Sequence, residues 1–318
     1  MLQYTIRRLL LMVPVALLVT IISFVLLRLT PGDPVLVYAG EEHDPATLAA
    51  LRHSLGLDRP LPVQYVFWLE RAVQGDFGRS IRTQQPVLEA IVERLPATIE
   101  LGTAALIISI VVAFVIGIIA ALKRNSVFDL LSTGIAIAGV SLPNFFLGIA
   151  LILFIAVFLR WLPPGGYTPL WQDPLDNLRH LILPAITLAT ASLAVNLRQI
   201  RSSLIEVLSQ DYIRTAQAKG LPQRLVVLRH ALKNAMIPVI TVIGLQVGSI
   251  IEGAIITESI FFWPGVGRLA VDSIAGRDYP VVQAIVLMSA LSYMVSTLLV
   301  DVLYAWFDPR ISYGGGAS

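Results

Sequence analysis

Six apolar runs, each close to the length that crosses a bilayer, divide this chain: residues 9–29, 101–122, 131–158, 181–197, 237–256 and 282–304. A helix of about 20 apolar residues covers the hydrocarbon thickness. In that solvent every backbone N–H and C=O has to be paired internally, so runs of this length fold as helices. Composition agrees: 56% of residues are hydrophobic and only 14% are charged, where a soluble domain has about 25% charged residues. The fold class expected is an all-α membrane protein with six transmembrane helices. The first run follows Arg7 and Arg8, as a signal peptide would. It exceeds the roughly 7–15 apolar residues of a signal core, and Thr30-Pro31-Gly32-Asp33 is no small-residue cleavage site. It reads as a retained span.

Orientation follows from the short loops, because Lys and Arg accumulate on the cytoplasmic side. With the N-terminus in the cytosol, the inside segments hold twelve basic residues, seven of them between Arg198 and Lys233. The short outside loops hold only Arg160, Arg179, Arg268 and Arg277, and all three lysines fall inside. Six spans then put both termini in the cytosol. The long outside stretch carries helix signals of its own. Asp44-Pro45 starts a helix that Gly56 ends; residues 62–73 form a second; residues 86–95 form a third, stopped by Pro96. These make a small extracytoplasmic helical subdomain, residues 31–99, too short for an independent core. The remaining divisions are 1–30 (N-terminus and first span), 100–307 (a five-span core with a cytosolic loop at 198–236) and 308–318 (a cytosolic tail). In the outside loop 259–280, Phe261, Phe262 and Trp263 read either as an interfacial anchor or as a turn dipping back into the membrane.

Several chemistries are missing. The chain has no cysteine, so disulfide, thiol and cysteine–metal chemistry are excluded. Four scattered histidines make no metal-binding spacing, and no GxxxxGK[ST] loop is present to hold ATP. No cofactor and no nucleic-acid partner is expected on this chain, and a net charge of +2 says little about partners. The halves show no repeat, which argues against a secondary transporter of inverted-repeat design. Such a transporter, or a channel, is the alternative reading, and a membrane-embedded enzyme a more distant one.

Polar residues at membrane depth are the candidates for a pathway. Pro143, within Ser141-Leu142-Pro143-Asn144, removes one helix hydrogen bond, giving either a gate or a static kink in which Ser141 bonds a freed carbonyl. Glu252 lies deepest, where a charge costs about 2.5–3.5 kcal/mol on insertion scales and so calls for a cavity or a partner. Gln246, six residues earlier, is roughly 120° away around a helix, so the two form no single site. Asn144, Asn196, Gln246 and Glu252 read equally as pathway lining and as interhelical hydrogen bonds.

The most ordered polar stretch is 211–238. Asp211 suits an N-cap, residues 212–219 a short helix, Lys219 its negative end, Gly220 the left-handed position after it, and Pro222 a stop. An ordinary basic loop touching headgroups is the plainer reading. The run Tyr212-Ile213-Arg214-Thr215-Ala216-Gln217-Ala218-Lys219-Gly220, followed by Asn234-Ala235-Met236-Ile237-Pro238, resembles the coupling-loop signature of ABC importer permeases. Arg214-Thr215 replaces the commoner Glu-Ala, which is the form of the dipeptide/oligopeptide branch. Three further stretches match that branch in order: Pro31-Gly32-Asp33-Pro34, Gly75-Asp76-Phe77-Gly78-Arg79-Ser80, and the stretch from Glu258 to Arg268 with Arg277-Asp278-Tyr279-Pro280.

The resemblance implies a multi-pass subunit of a bacterial inner membrane. It implies a second homologous permease sharing the pathway and two cytosolic ABC ATPase subunits carrying ATP and Mg. An extracytoplasmic solute-binding protein and the surrounding lipid complete the partners. The coupling residues would be Arg214, Thr215, Ala216, Ala218, Lys219 and Gly220. The small Thr215, Ala216 and Ala218 would let a partner approach the helix closely, and Arg214 and Lys219 would meet acidic groups at its rim.

Overall fold

Long apolar segments become long helices. In the computed structural model, residues 2–29, 35, 44–54, 57–248 and 250–307 are described. The Gly56 stop and Pro31-Gly32-Asp33-Pro34 lie outside them. The first part of the chain forms α1 (Leu2–Leu29), α2 (Pro45–Ser54), α3 (Leu61–Val73) and α4 (Val87–Leu122). Next come α5 (Val127–Ser141) and α6 (Asn144–Leu151), the latter running on as a π-helical stretch, Ile152–Phe158. Then follow α7 (Pro174–Leu208), α8 (Asp211–Ala218), α9 (Gln223–Gly248), α10 (Ile250–Ile260), α11 (Val266–Ala275) and α12 (Tyr279–Phe307). Among the described residues the only β pairing is a single antiparallel bridge, Arg79 to Pro86.

The helix α4 and its partners α7, α9 and α12 are long and apolar enough to cross a membrane. The pair α5–α6 reaches that length only together and is bent by 103° at Leu142-Pro143. Leu142 is extended (φ −82°, ψ 125°), as the residue before a proline prefers. Ser141 Oγ donates to Ile137 O at 2.9 Å, so it bonds back into the preceding turn. The first helix contributes a shorter apolar stretch, Leu10–Leu26. Length and composition therefore support four spans, or five with the bent pair.

Two expectations are corrected. Helix formation does not stop at Pro96: α4 runs through it without a break. An interior proline costs about 3 kcal/mol, and packing on either side outweighs that. Val87 and Ile91 before it, and Ala97 and Leu101 after it, are each enclosed by apolar neighbours. The fifth helix also begins earlier than the apolar run 237–256: α9 starts at Gln223, inside the stretch read as loop.

The most extensive packing is between α4 and α7. Helix α4 presents Gly102, Ala105, Ser109, Ala113 and Gly117 on its buried face. Water does not drive association within lipid, so close backbone approach and dispersion have to do it. Gly117 shows the tolerance: a Cβ there would sit 3.0 Å from Ile200 Cγ2 and 3.3 Å from Leu197 O. On the opposite face, Ile107, Val111 and Val115 stay exposed, as a lipid-facing stripe should. Because α4 is one helix, it links two clusters. Val87 and Ile91 pack with Val266 and Val281 at one end; Ala121 packs with Leu204, Ile213 and Val226 at the other.

Candidate coupling site

Helix α8 is held by one face. Ile213 is fully buried and Ala216 nearly so, among Leu204, Val226, Ala231 and Ala235 from the ends of α7 and α9. Tyr212 is tied to α9 by Asn234 Nδ2, which donates to its hydroxyl at 2.8 Å. Arg214, Thr215, Gln217, Ala218 and Lys219 are exposed. Ala216 therefore belongs to the inner face, and the small exposed positions are Thr215 and Ala218. The cap also differs from expectation. Gln210 occupies the N-cap without a side-chain bond, and Asp211 is the first helical residue. Its carboxylate meets Arg214 Nη1 at 3.3 Å and still lies in the first turn, where negative charge is favoured. Gly220 follows Lys219 at φ +75°, with open space where a Cβ would stand. Its requirement is conformational alone, since only glycine takes up that region without strain.

Beside α8 an ion pair fastens α5 to α7. Arg201 Nε and Nη2 reach Asp129 Oδ1 and Oδ2 at 2.5 and 2.8 Å, and Asn125 N donates to Oδ2 at 2.9 Å. Ser126 caps the helix by accepting from Asp129 N at 3.3 Å. Sequence reading counted Arg201 only as an inside charge and passed over Asp129. The Ser126-x-x-Asp129 spacing was the available signal, because it marks a capped helix start.

At the far end of α4 the other motif stretches come together. Glu258, fully buried, accepts from Thr98 Oγ1 at 2.7 Å and from Arg268 N at 2.9 Å. Thr98 Oγ1 in turn accepts from Val266 N at 2.8 Å. Gly265 is obligatory here: a Cβ would fall 2.1 Å from Glu258 Oε1. Trp263 is buried, donates from Nε1 to Ala97 O at 2.8 Å, and meets Tyr167 edge-on at 4.7 Å. Tyr167 in turn donates to Glu100 Oε2 at 3.1 Å, and burial together with that carboxylate pushes its phenol up to about 12. Phe261 and Trp263 are thus internal rather than interfacial, and Phe262 alone is exposed, stacked with Arg268. Asp278, buried, accepts from Ser80 Oγ and, at 3.0 Å, from Ile81 N, which joins the 75–80 motif to the 277–280 motif.

The family described as binding-protein-dependent transport system inner membrane component matches residues 113–313, and the N-terminal region of the same kind of membrane component matches residues 1–102. The chain belongs to this permease family. The permease is 43% identical to the dipeptide transport system permease protein of Escherichia coli K12, covering 98% of this chain and 99% of that protein. It is 44% identical to the glutathione transport system permease protein of the same strain, covering 98% and 100%. A crystal structure of an amino acid ABC transporter with histidines is a looser likeness: TM-score 0.47, 18% identity, 70% of this chain and 94% of that one. The permease is a multi-pass inner-membrane subunit of the ABC importer type.

The remaining candidates of this permease separate into two groups. Asn196 is fully buried; its Nδ2 donates to Ser109 Oγ at 2.9 Å and to Gln246 Oε1 at 3.0 Å. Gln246 Nε2 returns a bond to Asn196 Oδ1 at 3.0 Å, so the two amides lock α7, α9 and α4 together. Ser141 and Pro143 are exposed at the bend, with Asn144 half-buried beside them. Glu252 has helical backbone, but its side chain lies outside the described residues.

Proposed function

We propose that this permease, paired with a second homologous permease subunit, forms the pathway for di- or oligopeptides or related small solutes, and that α8 couples it to two cytosolic ATPase subunits. The observation that carries this reading is the two-sidedness of α8. A short helix unstable alone is fastened through Ile213, Ala216 and Tyr212, while Arg214, Thr215, Ala218 and Lys219 remain available. ATP and Mg act on the partner subunits, and an extracytoplasmic binding protein delivers the solute. The peptide and glutathione permeases among its relatives support that solute class. Six spans, counting α1 and the bent pair, leave both termini in the cytosol and residues 31–99 as an extracytoplasmic subdomain. Ser141, Pro143 and Asn144 line the pathway at the bend, with Glu252 deeper. Asn196 and Gln246 brace the wall behind them.

The test is ATP-driven uptake by the whole transporter in liposomes. Ala218→Asp places a carboxylate on the docking face without touching the interior. Desolvating it costs more than about 1.4 kcal/mol, so uptake falls at least roughly tenfold while melting of the purified permease is unchanged. Normal uptake by that variant would show that α8 does not dock in this way.

A further inference from the structure

A cavity of about 410 Å³ lies at the end of the bundle remote from α8, between the last turn of α1, helix α3 and the start of α12. Its charge is one-sided. Arg28, Arg59, Arg71 and Arg79 line it, and among the described residues none of the four forms an ion pair. The carboxylate on its wall, Asp76, already accepts from Gly78 N at 2.9 Å, and His53 is held by Asp58 at 2.6 Å. Arg28 and Arg59 rest on the rings of Phe24 and Phe67, at 5.0 and 4.6 Å from their centroids, which orients the guanidinium planes while leaving their edges available.

The wall also has polar atoms waiting for partners. Among the described residues four buried side-chain atoms lack a hydrogen bond, and three of them belong to this lining: Gln64 Oε1, Trp68 Nε1 and Tyr279 Oη. Tyr279 is only 7% exposed. Buried polar groups left unpaired are costly, and three of them around one basic cavity describe a ligand. Trp68 is a donor, Tyr279 supplies an O–H, and Gln64 offers a carbonyl oxygen. The complement is an anion whose oxygens accept from the first two and which carries a hydroxyl for the third.

The position indicates its source. Helix α1 packs on α12 and otherwise presents Leu10, Leu18, Leu26 and Leu29 outward, so its surroundings are acyl chains. The cavity sits where that apolar face ends at Arg28, the depth of a headgroup, and clustered guanidinium groups suit the oxygens of a phosphate. We propose that this cavity binds the headgroup of an anionic, hydroxyl-bearing phospholipid. The arginines, Trp68 and Tyr279 hold the phosphate, Gln64 accepts from a headgroup hydroxyl, and the tails follow the seam between α1 and α12.

The probe is phosphatidylglycerol. Full-length permease is released from bilayers of phosphatidylglycerol and phosphatidylcholine, and retained lipid is counted by native mass spectrometry. Wild type keeps phosphatidylglycerol in preference. Arg59→Gln with Arg71→Gln loses roughly tenfold or more of it, and Tyr279→Phe, which preserves packing, loses part. Arg82→Gln, off the wall, loses none. Equal retention by the double variant and wild type overturns the proposal, and so does equal loss in the Arg82 variant, which would mean general surface charge. In detergent, phosphatidylglycerol raises the melting temperature and inorganic phosphate does not. If inorganic phosphate stabilises as well as the lipid, and only with the arginines intact, the cavity takes a soluble anion and the lipid assignment is wrong. Lipid retention is read without transport, so this result stands apart from the fate of α8 docking.

Discussion

A carboxylate enclosed inside a membrane protein has to be matched oxygen by oxygen, and Glu258 is: Thr98 serves one oxygen and the Arg268 amide the other. Glu258→Gln turns an acceptor into a donor among donors. That leaves at least one buried group unpaired and lowers stability by about 1–3 kcal/mol, seen as a lower melting temperature of the purified permease. An unchanged melting curve would mean that this site is not a structural joint. Gly265 is legible in hindsight as the glycine that makes room for Glu258. Gly220 was legible outright, because a glycine after Lys219 and before Pro222 has one usual use. The orientation of Ala216 was not legible. Smallness suits both a docking face and a packed one, and only the enclosure by Leu204, Val226 and Ala235 decides between them.

At the scale of elements, the apolar runs and their punctuation located most helices well. Pro45 opens α2 as expected, and α3 ends at Val73. Where punctuation failed, long-range packing had overruled a local rule, as at Pro96. The bend at Pro143 was legible as a kink, but its 103° angle was not, because it depends on Gly148 seating against Phe261 and Thr187. The link between the 75–80 stretch and the start of α12 also joins residues far apart in sequence. Its polar part is Asp278, which accepts from Ser80 Oγ and Ile81 N, beside the packing of Phe77 against Val281 and Ile285. Asp278→Ala should therefore release the turn while α12 persists. Hydrogen exchange of the Ile81 amide should rise by about tenfold or more, since losing a charge-assisted bond of about 1.5–3 kcal/mol changes local opening by that order. Unchanged exchange at Ile81 would mean that other contacts hold the turn.

For the whole molecule, the proposed orientation rests on arginine and lysine placement. A reporter fused after Ser209 should be accessible in the cytosol, and one after Gly75 on the opposite side; the reverse result would overturn the six-span topology. What the linear sequence cannot display is how the two faces communicate. Helix α4 is 36 residues long, about 54 Å at the usual rise per residue. One end is packed against the seat of α8, and near the other it holds Glu258 through Thr98 and Trp263 through the Ala97 carbonyl. It has the build of a strut: under the proposed coupling, a thrust against α8 reaches the opposite face through one helix instead of a succession of loops. Under the proposed coupling, a stroke at the α8 end and the displacement at the far end are of similar size, and the give lies outside α4, as at the 103° bend by Pro143.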